Sequence, residues 1–264
     1  MYQRDTLRIL AIGNSFSQDA VEQYLHELSE AAGKTIVIGN MYIGGAQLSL
    51  HWENAQGDKA VYSYRKIDAD GAKRTYEHTS IRAALRDEQW DYVSLQQVSS
   101  LSGHFESYIE PLSKLHRYID SITAGNVKYI WHQTWAYAPT SKHDGFANYN
   151  HDQQTMYTAI MDASAKVRNL IPIDLLIPSG TAIQNARTSF IGDDLTRDGF
   201  HLDLQIGRFV AACTWFESLY GQPAPVDSYR PEKVSEGEAE VAREAAHAAV
   251  NQPFAITEID WARQ

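Results

Sequence analysis

The chain predicts a three-layer α/β/α sandwich around a mostly parallel sheet, and three observations carry that prediction. Short apolar runs rich in Ile, Leu and Val alternate with segments of helical periodicity. The first run is continuously apolar, as a strand covered on both faces requires. Glycine and asparagine turns close the strand-like runs where helices begin. Right-handed crossovers then place helices on both sides of the sheet. With 264 residues, 44% of them hydrophobic and 21% charged, the chain has the size and composition of a single domain spanning 1–264.

The first strand is the apolar run beginning at Leu7, which stops at Gly13-Asn14-Ser15, and residues 18–33 continue as a helix. Residues 34–42 form a second strand ending at the turn Gly44-Gly45-Ala46, where permissive backbone is needed. An aromatic, polar stretch, His51-Trp52-Glu53-Asn54, follows. Two strand-like pieces, 61–68 and 73–78, flank Asp70-Gly71 and read as a hairpin, an excursion from the main sheet over about 59–78. A short helix at 81–87 leads to a third strand, 90–96, which runs into Gln96-Gln97-Val98-Ser99-Ser100.

Residues 105–122 are helical, and 126–134 form a fourth strand followed by a long aromatic and polar loop, 135–150. Loops of that length are functional or mobile. A helix at 153–170, a fifth strand at 172–177 and a helix at 179–188 come next. The segment Asp193 to His201 is a loop before the helix 204–220, and Ser235 with Glu238 forms a capping box for a last, Ala-rich helix. There is no internal repeat.

A net charge of −10 without a basic patch argues against nucleic-acid and anionic-membrane partners. The single cysteine, Cys213, lies in an apolar helical stripe with Phe209, Val210 and Phe216, so it reads as core. No apolar run reaches the ~20 residues of a membrane helix, and Met1-Tyr-Gln-Arg-Asp5 carries no secretory apolar core. The sequence as it stands reads as cytoplasmic, or as periplasmic or secreted if a leader has been removed. Its ten histidines form no His-Glu-x-x-His motif, there are no cysteine ligands, and no phosphate loop with Lys-Ser/Thr is present, so neither a metal nor another cofactor is expected.

Ser15 stands at the carboxyl end of a strand, where open α/β sheets place their sites, and beside the first amides of a helix. It has two readings on this stretch: a nucleophile, or a helix cap boxed with Gln18. A serine nucleophile needs a base, and that base an orienting group. Asp198-Gly-Phe-His201 provides both within one tight turn.

Gly13-Asn14-Ser15-Phe16-Ser17, the glycine turn at Gly45 and Asp198-x-x-His201 resemble, in order and position, three of the four motif blocks of the SGNH, or GDSL, hydrolase family. The combination with Leu95-Gln96-Gln97 and Trp131-His132-Gln133-Thr134-Trp135 is also similar to an SGNH-like group of gut bacteria. The resemblance implies a flavodoxin-like sandwich and carboxylic ester hydrolysis, with an acetyl or other acyl group on carbohydrate as the expected substrate. It makes Ser15 the nucleophile, His201 the general base, Asp198 the orienting carboxylate, and the amides of Ser15 and Gly45 part of the oxyanion hole. Two departures stand out. Asn14 replaces the usual aspartate, and Gln96-Gln97 stands where the third block has an asparagine that donates to the oxyanion. Gln97 or Gln96 is expected to take that task, with Ser100 nearest by count.

Trp52, His132, Gln133, Trp135 and Tyr137 lie on the rim that carries Ser15 and are expected to contact substrate, against the reading that they cap the core. A lipase or thioesterase, and a catalytically idle carbohydrate-binding protein on the same fold, are the alternatives.

Overall fold

The computed structural model describes residues 6–227 and 229–259; Met1 to Asp5, noted above for their lack of an apolar core, lie outside it. Five parallel strands form the centre: β1 (Thr6–Gly13), β2 (Thr35–Tyr42), β5 (Tyr92–Leu95), β6 (Lys128–His132) and β7 (Leu175–Ile177). β1 pairs with β2 from Thr6↔Thr35 to Gly13↔Tyr42, and with β5 from Ile9↔Tyr92 to Ile12↔Leu95. Alternate side chains of β1 feed two cores: Ile9 and Ala11 on one face, Leu10 and Ile12 on the other.

The hairpin β3 (Tyr62–Ile67) and β4 (Lys73–Thr79) is not an excursion. It pairs antiparallel along β2, giving a seven-stranded mixed sheet in the order β4-β3-β2-β1-β5-β6-β7. The alternation read in the sequence has a physical use here. Tyr62 and Tyr64 are buried, whereas β4 is exposed and carries Lys73, Arg74 and Glu77, charges that suit a sheet edge.

The first core lies under α1 (Ser15–Val21), α2 (Leu25–Ala31), α7 (Ser179–Arg187), α8 (Ile206–Tyr220) and α9 (Glu236–Asn251). The second lies under α3 (Leu48–Gln56), α4 (Ile81–Asp87) and α5 (Glu106–Thr123), and α6 (Gln153–Lys166) contributes to both. Cys213 is fully buried in α8, and burial pushes its thiol well above the usual range. Both halves of the Ser235/Glu238 capping box are formed.

Three local readings change. The helix expected over 18–33 is two helices, because Tyr24 takes a left-handed conformation (φ 70°) and sends its hydroxyl to the Leu204 carbonyl at 2.9 Å. The aromatic stretch after Gly45 is the helix α3. The long loop is packed rather than loose: Trp135, Tyr137, Phe146 and Tyr149 are buried, and Asp144–Tyr149 is a 3₁₀ turn.

Candidate active site

The turn after β1 is built by Asn14. Its backbone is extended (φ −146°, ψ −152°), and its Oδ1 accepts the Phe16 amide at 2.9 Å, so Asn14 caps α1 and Ser15 is the first helical residue. The capping box with Gln18 is therefore not formed. Ser15 is half-buried, and its hydroxyl bonds to no described residue. The Asn14 amide nitrogen donates to the Ala46 carbonyl at 2.9 Å, tying this turn to the Gly44-Gly45 turn after β2. Gly45 has φ +66°, a conformation that favours glycine.

A chain of buried neutral groups supports Asn14 from behind. Gln96 Nε2 donates to Asn14 Oδ1 at 3.0 Å. Its Oε1 must then accept, so the proton between it and His132 Nδ1, 2.8 Å away, belongs to the imidazole. That leaves His132 Nε2 to accept from the Ser179 hydroxyl at 3.1 Å. Burial lowers the His132 pKa to about 3, which keeps the imidazole neutral and this polarity in place. The relay has one direction: Ser179 to His132 to Gln96 to Asn14 to Ala46.

This corrects the reading of the glutamines. Gln96 is spent on holding Asn14. Gln97 accepts the Leu48 and Val98 amides at 3.0 and 2.9 Å and donates to Ser107 Oγ at 2.9 Å, joining the starts of α3 and α5. Both side chains are buried, and neither is placed as a free donor.

Asp198 and His201 sit in a hairpin closed by the Arg197 amide on the His201 carbonyl and by a bridge between Thr196 and Leu202. Asp198 Oδ1 accepts the Phe200 and His201 amides at 3.1 and 2.8 Å, and Oδ2 meets His201 Nδ1 at 2.6 Å. Partial burial works to raise the Asp198 pKa, but the His201 hydrogen bond and these two amides outweigh it, and the carboxyl titrates below its ordinary value. The His201 ring lies 6.1 Å from that of Phe16, the residue after Ser15.

Asp19, which the sequence reading passed over, delivers this hairpin. It is fully buried on α1, one turn beyond Ser15 on the same helical face. Its carboxylate accepts the Leu202 amide at 2.8 Å and pairs with Arg208 at 2.6 Å and Arg197 at 3.1 Å. The available signal was an acid four residues after Ser15 and two arginines flanking His201. Trp135 braces the other side, stacking on Phe16 with ring centroids 4.2 Å apart and donating its Nε1–H to the Phe200 carbonyl at 2.8 Å.

The expected substrate contacts lie elsewhere. His132 is 1% exposed, and Gln133, Trp135 and Tyr137 are 0% exposed. Gln133 ties α7 to the Pro253 carbonyl, and Tyr137 bonds to Ser99 Oγ at 2.7 Å. Trp52 is half-buried in the second core, where Lys114 of α5 lies 5.7 Å from its ring. Aromatic and amide groups at strand ends here fill the core beneath the rim. Among the described residues, no cluster of three or more metal-ligating side chains occurs, and no helix is long and apolar enough to cross a membrane.

The sheet and its flanking helices match solved SGNH-type structures. A candidate SGNH hydrolase from Slackia heliotrinireducens superimposes with a TM-score of 0.55 at 21% identity, over 81% of this chain and 99% of that one. An acetyl-xylooligosaccharide esterase from Geobacillus, solved as a mutant, does so with a TM-score of 0.53 at 11% identity, over 81% and 94%. At these identities the likeness is one of fold. No curated protein matches the chain significantly. A DUF4886 family protein from Bacteroides uniformis is 52% identical, with a TM-score of 0.94 over 97% of this chain and 98% of its own. Residues 8–249 match the family described as "Domain of unknown function (DUF4886)", and the chain belongs to that family.

Proposed function

We propose that the protein is a serine hydrolase of carboxylic esters, with Ser15 as nucleophile, His201 as general base and acid, and Asp198 as the orienting carboxylate. The observation that carries this reading is the 2.6 Å contact between Asp198 Oδ2 and His201 Nδ1, beside the start of a helix whose first residue is a serine with a hydroxyl unpartnered among the described residues. Asp198 holds the proton on Nδ1, so Nε2 is the acceptor. In the reaction, Ser15 Oγ attacks the acyl carbonyl while His201 Nε2 takes its proton. The carbonyl oxygen becomes an oxyanion, received by the amides of Ser15 and Gly45. Collapse breaks the bond to the alcohol, which leaves with the proton from His201. Water, deprotonated by His201, then attacks the acyl-enzyme and releases the acid.

A small acyl group on carbohydrate is the substrate we favour, with the Geobacillus acetyl-xylooligosaccharide esterase as a precedent on this fold. Lipase or thioesterase activity would show as a preference for longer chains on nitrophenyl esters. The commitment of Gln96 and Gln97 to internal bonds favours a second reading, a carbohydrate-binding protein without turnover. Released acetate from acetylated oligosaccharides is the deciding measurement. Ser15→Ala is expected to lower kcat by ~10⁴ or more, and a serine-directed phosphonate is expected to label Ser15. A Ser15→Ala protein within tenfold of wild type sinks the mechanism, and glycan binding without turnover or labelling supports the second reading.

A further inference from the structure

The loop 135–150 brings one histidine to this site that none of the motifs includes. Gly145 donates its amide to His143 Nδ1 at 3.0 Å, which makes Nδ1 an acceptor and leaves the imidazole proton on Nε2. Protonating Nδ1 would break that bond. Burial lowers the His143 pKa as well, with Asp144 and Asp198 opposing it, so the ring is neutral near pH 7. Among the described residues nothing pairs with Nε2, and the side chain is only half-buried.

The ring is also held still. It packs edge-to-face with Phe200, centroids 4.7 Å apart, and Phe200 also lies against the His201 ring at 4.1 Å. Phe200 thus touches both imidazoles. The loop is locked to the His201 hairpin, because Ala138 donates to the Gly199 carbonyl at 2.8 Å and a Cβ on Gly199 would stand 2.7 Å from Ser141 Cα. It is locked on its other side to the turn after β5, where Gly145 presses on Ser100 and Asn148 Nδ2 donates to the Ser100 carbonyl at 2.9 Å.

His201 must hand its proton to the departing alcohol, so the alcohol lies on the His201 side of the nucleophile and the acyl oxygen on the Gly45 side. We propose that His143 is a substrate-recognition residue on the alcohol side, donating its Nε2–H to a hydroxyl or ring oxygen of a carbohydrate. The substrate class that follows is an ester of a polyhydroxylated alcohol, recognised through a fixed neutral donor. This rests on the esterase reading above.

The test is a ratio. For wild type, His143→Asn and His143→Gln, kcat/KM is measured on an acetylated oligosaccharide and on 4-nitrophenyl acetate, whose leaving group has no hydroxyl to recognise. Asparagine can still accept the Gly145 amide but is too short to follow Nε2, so the oligosaccharide-to-nitrophenyl ratio is expected to fall by roughly 3–10-fold, mainly through KM, the range for one neutral hydrogen bond. Glutamine, which extends an N–H further, is expected to recover part of the ratio. Thermal midpoints of the two variants separate this from loss of the Gly145–His143 hydrogen bond. An unchanged ratio, or equal losses on both substrates, overturns the assignment of His143 while leaving the esterase reading intact. Absence of turnover by wild type on both substrates overturns both.

Discussion

At the scale of single residues, Asn14 holds the site together. It accepts from Phe16 and Gln96 and donates to Ala46, so it needs an amide: one oxygen to take two hydrogens and one nitrogen to give one. The resembling family usually carries aspartate here. Asn14→Asp keeps both accepted bonds but sets its second oxygen against the Ala46 carbonyl. We expect a stability loss of about 1–3 kcal/mol, a Tm lower by roughly 2–8 °C, and a fall in kcat. A Tm at or above that of wild type would show that the Ala46 contact contributes nothing. The same locality explains what was legible. The turns that carry Ser15, Gly45, Asp198 and His201 are readable because the residues that shape each of them are adjacent in sequence. The roles of Gln96, Gln97, His132 and Gln133 are not readable in this way, because partners that occupy them, Asn14, Leu48, Ser179 and Pro253, are remote in sequence.

Among the elements, α1 does more than carry Ser15. Asp19 on its inner face, one turn along, holds the hairpin of His201 through Leu202, Arg197 and Arg208. Asp19→Ala leaves Arg208 and the Leu202 amide without that partner in a buried place, and breaking such a pair costs about 3–5 kcal/mol. We expect a large drop in Tm. In protein that remains folded, we expect a loss of kcat as His201 drifts from Ser15. Circular dichroism with steady-state kinetics checks both, and near-wild-type kinetics at an unchanged Tm would remove Asp19 from the positioning role. The order of strands and helices was legible because apolar runs and amphipathic stripes persist whatever surrounds them. The break at Tyr24 and the helix α3 were not. Tyr24 leaves the helical conformation to reach Leu204, and α3 is anchored at its start by Gln97 rather than by a capping side chain of its own.

Across the whole molecule, buried histidines set the response to acid. His132 and His51 are fully buried, and burial lowers their pKa values to about 3 and about 4. Each binds its proton more readily unfolded, near 6.5, so stability is complete above that value and is lost as pH falls through 6.5 toward the folded values. By pH 5 each contributes a loss of about 2 kcal/mol. Urea midpoints at pH 7 and pH 5 test this, and His132→Gln should flatten the dependence; a midpoint equal at both pH values contradicts it. The hairpin's place within the sheet is not legible in the sequence, because pairing to β2 is a long-range choice that alternation alone does not reveal. Distance along the chain also governs when the site exists. Asp19 and Leu202, joined by one hydrogen bond, are 183 residues apart. A nascent chain therefore carries Ser15 long before it carries the hairpin of Asp198 and His201. On the esterase reading proposed above, that chemistry is withheld through most of synthesis, and a product truncated before His201 lacks its general base.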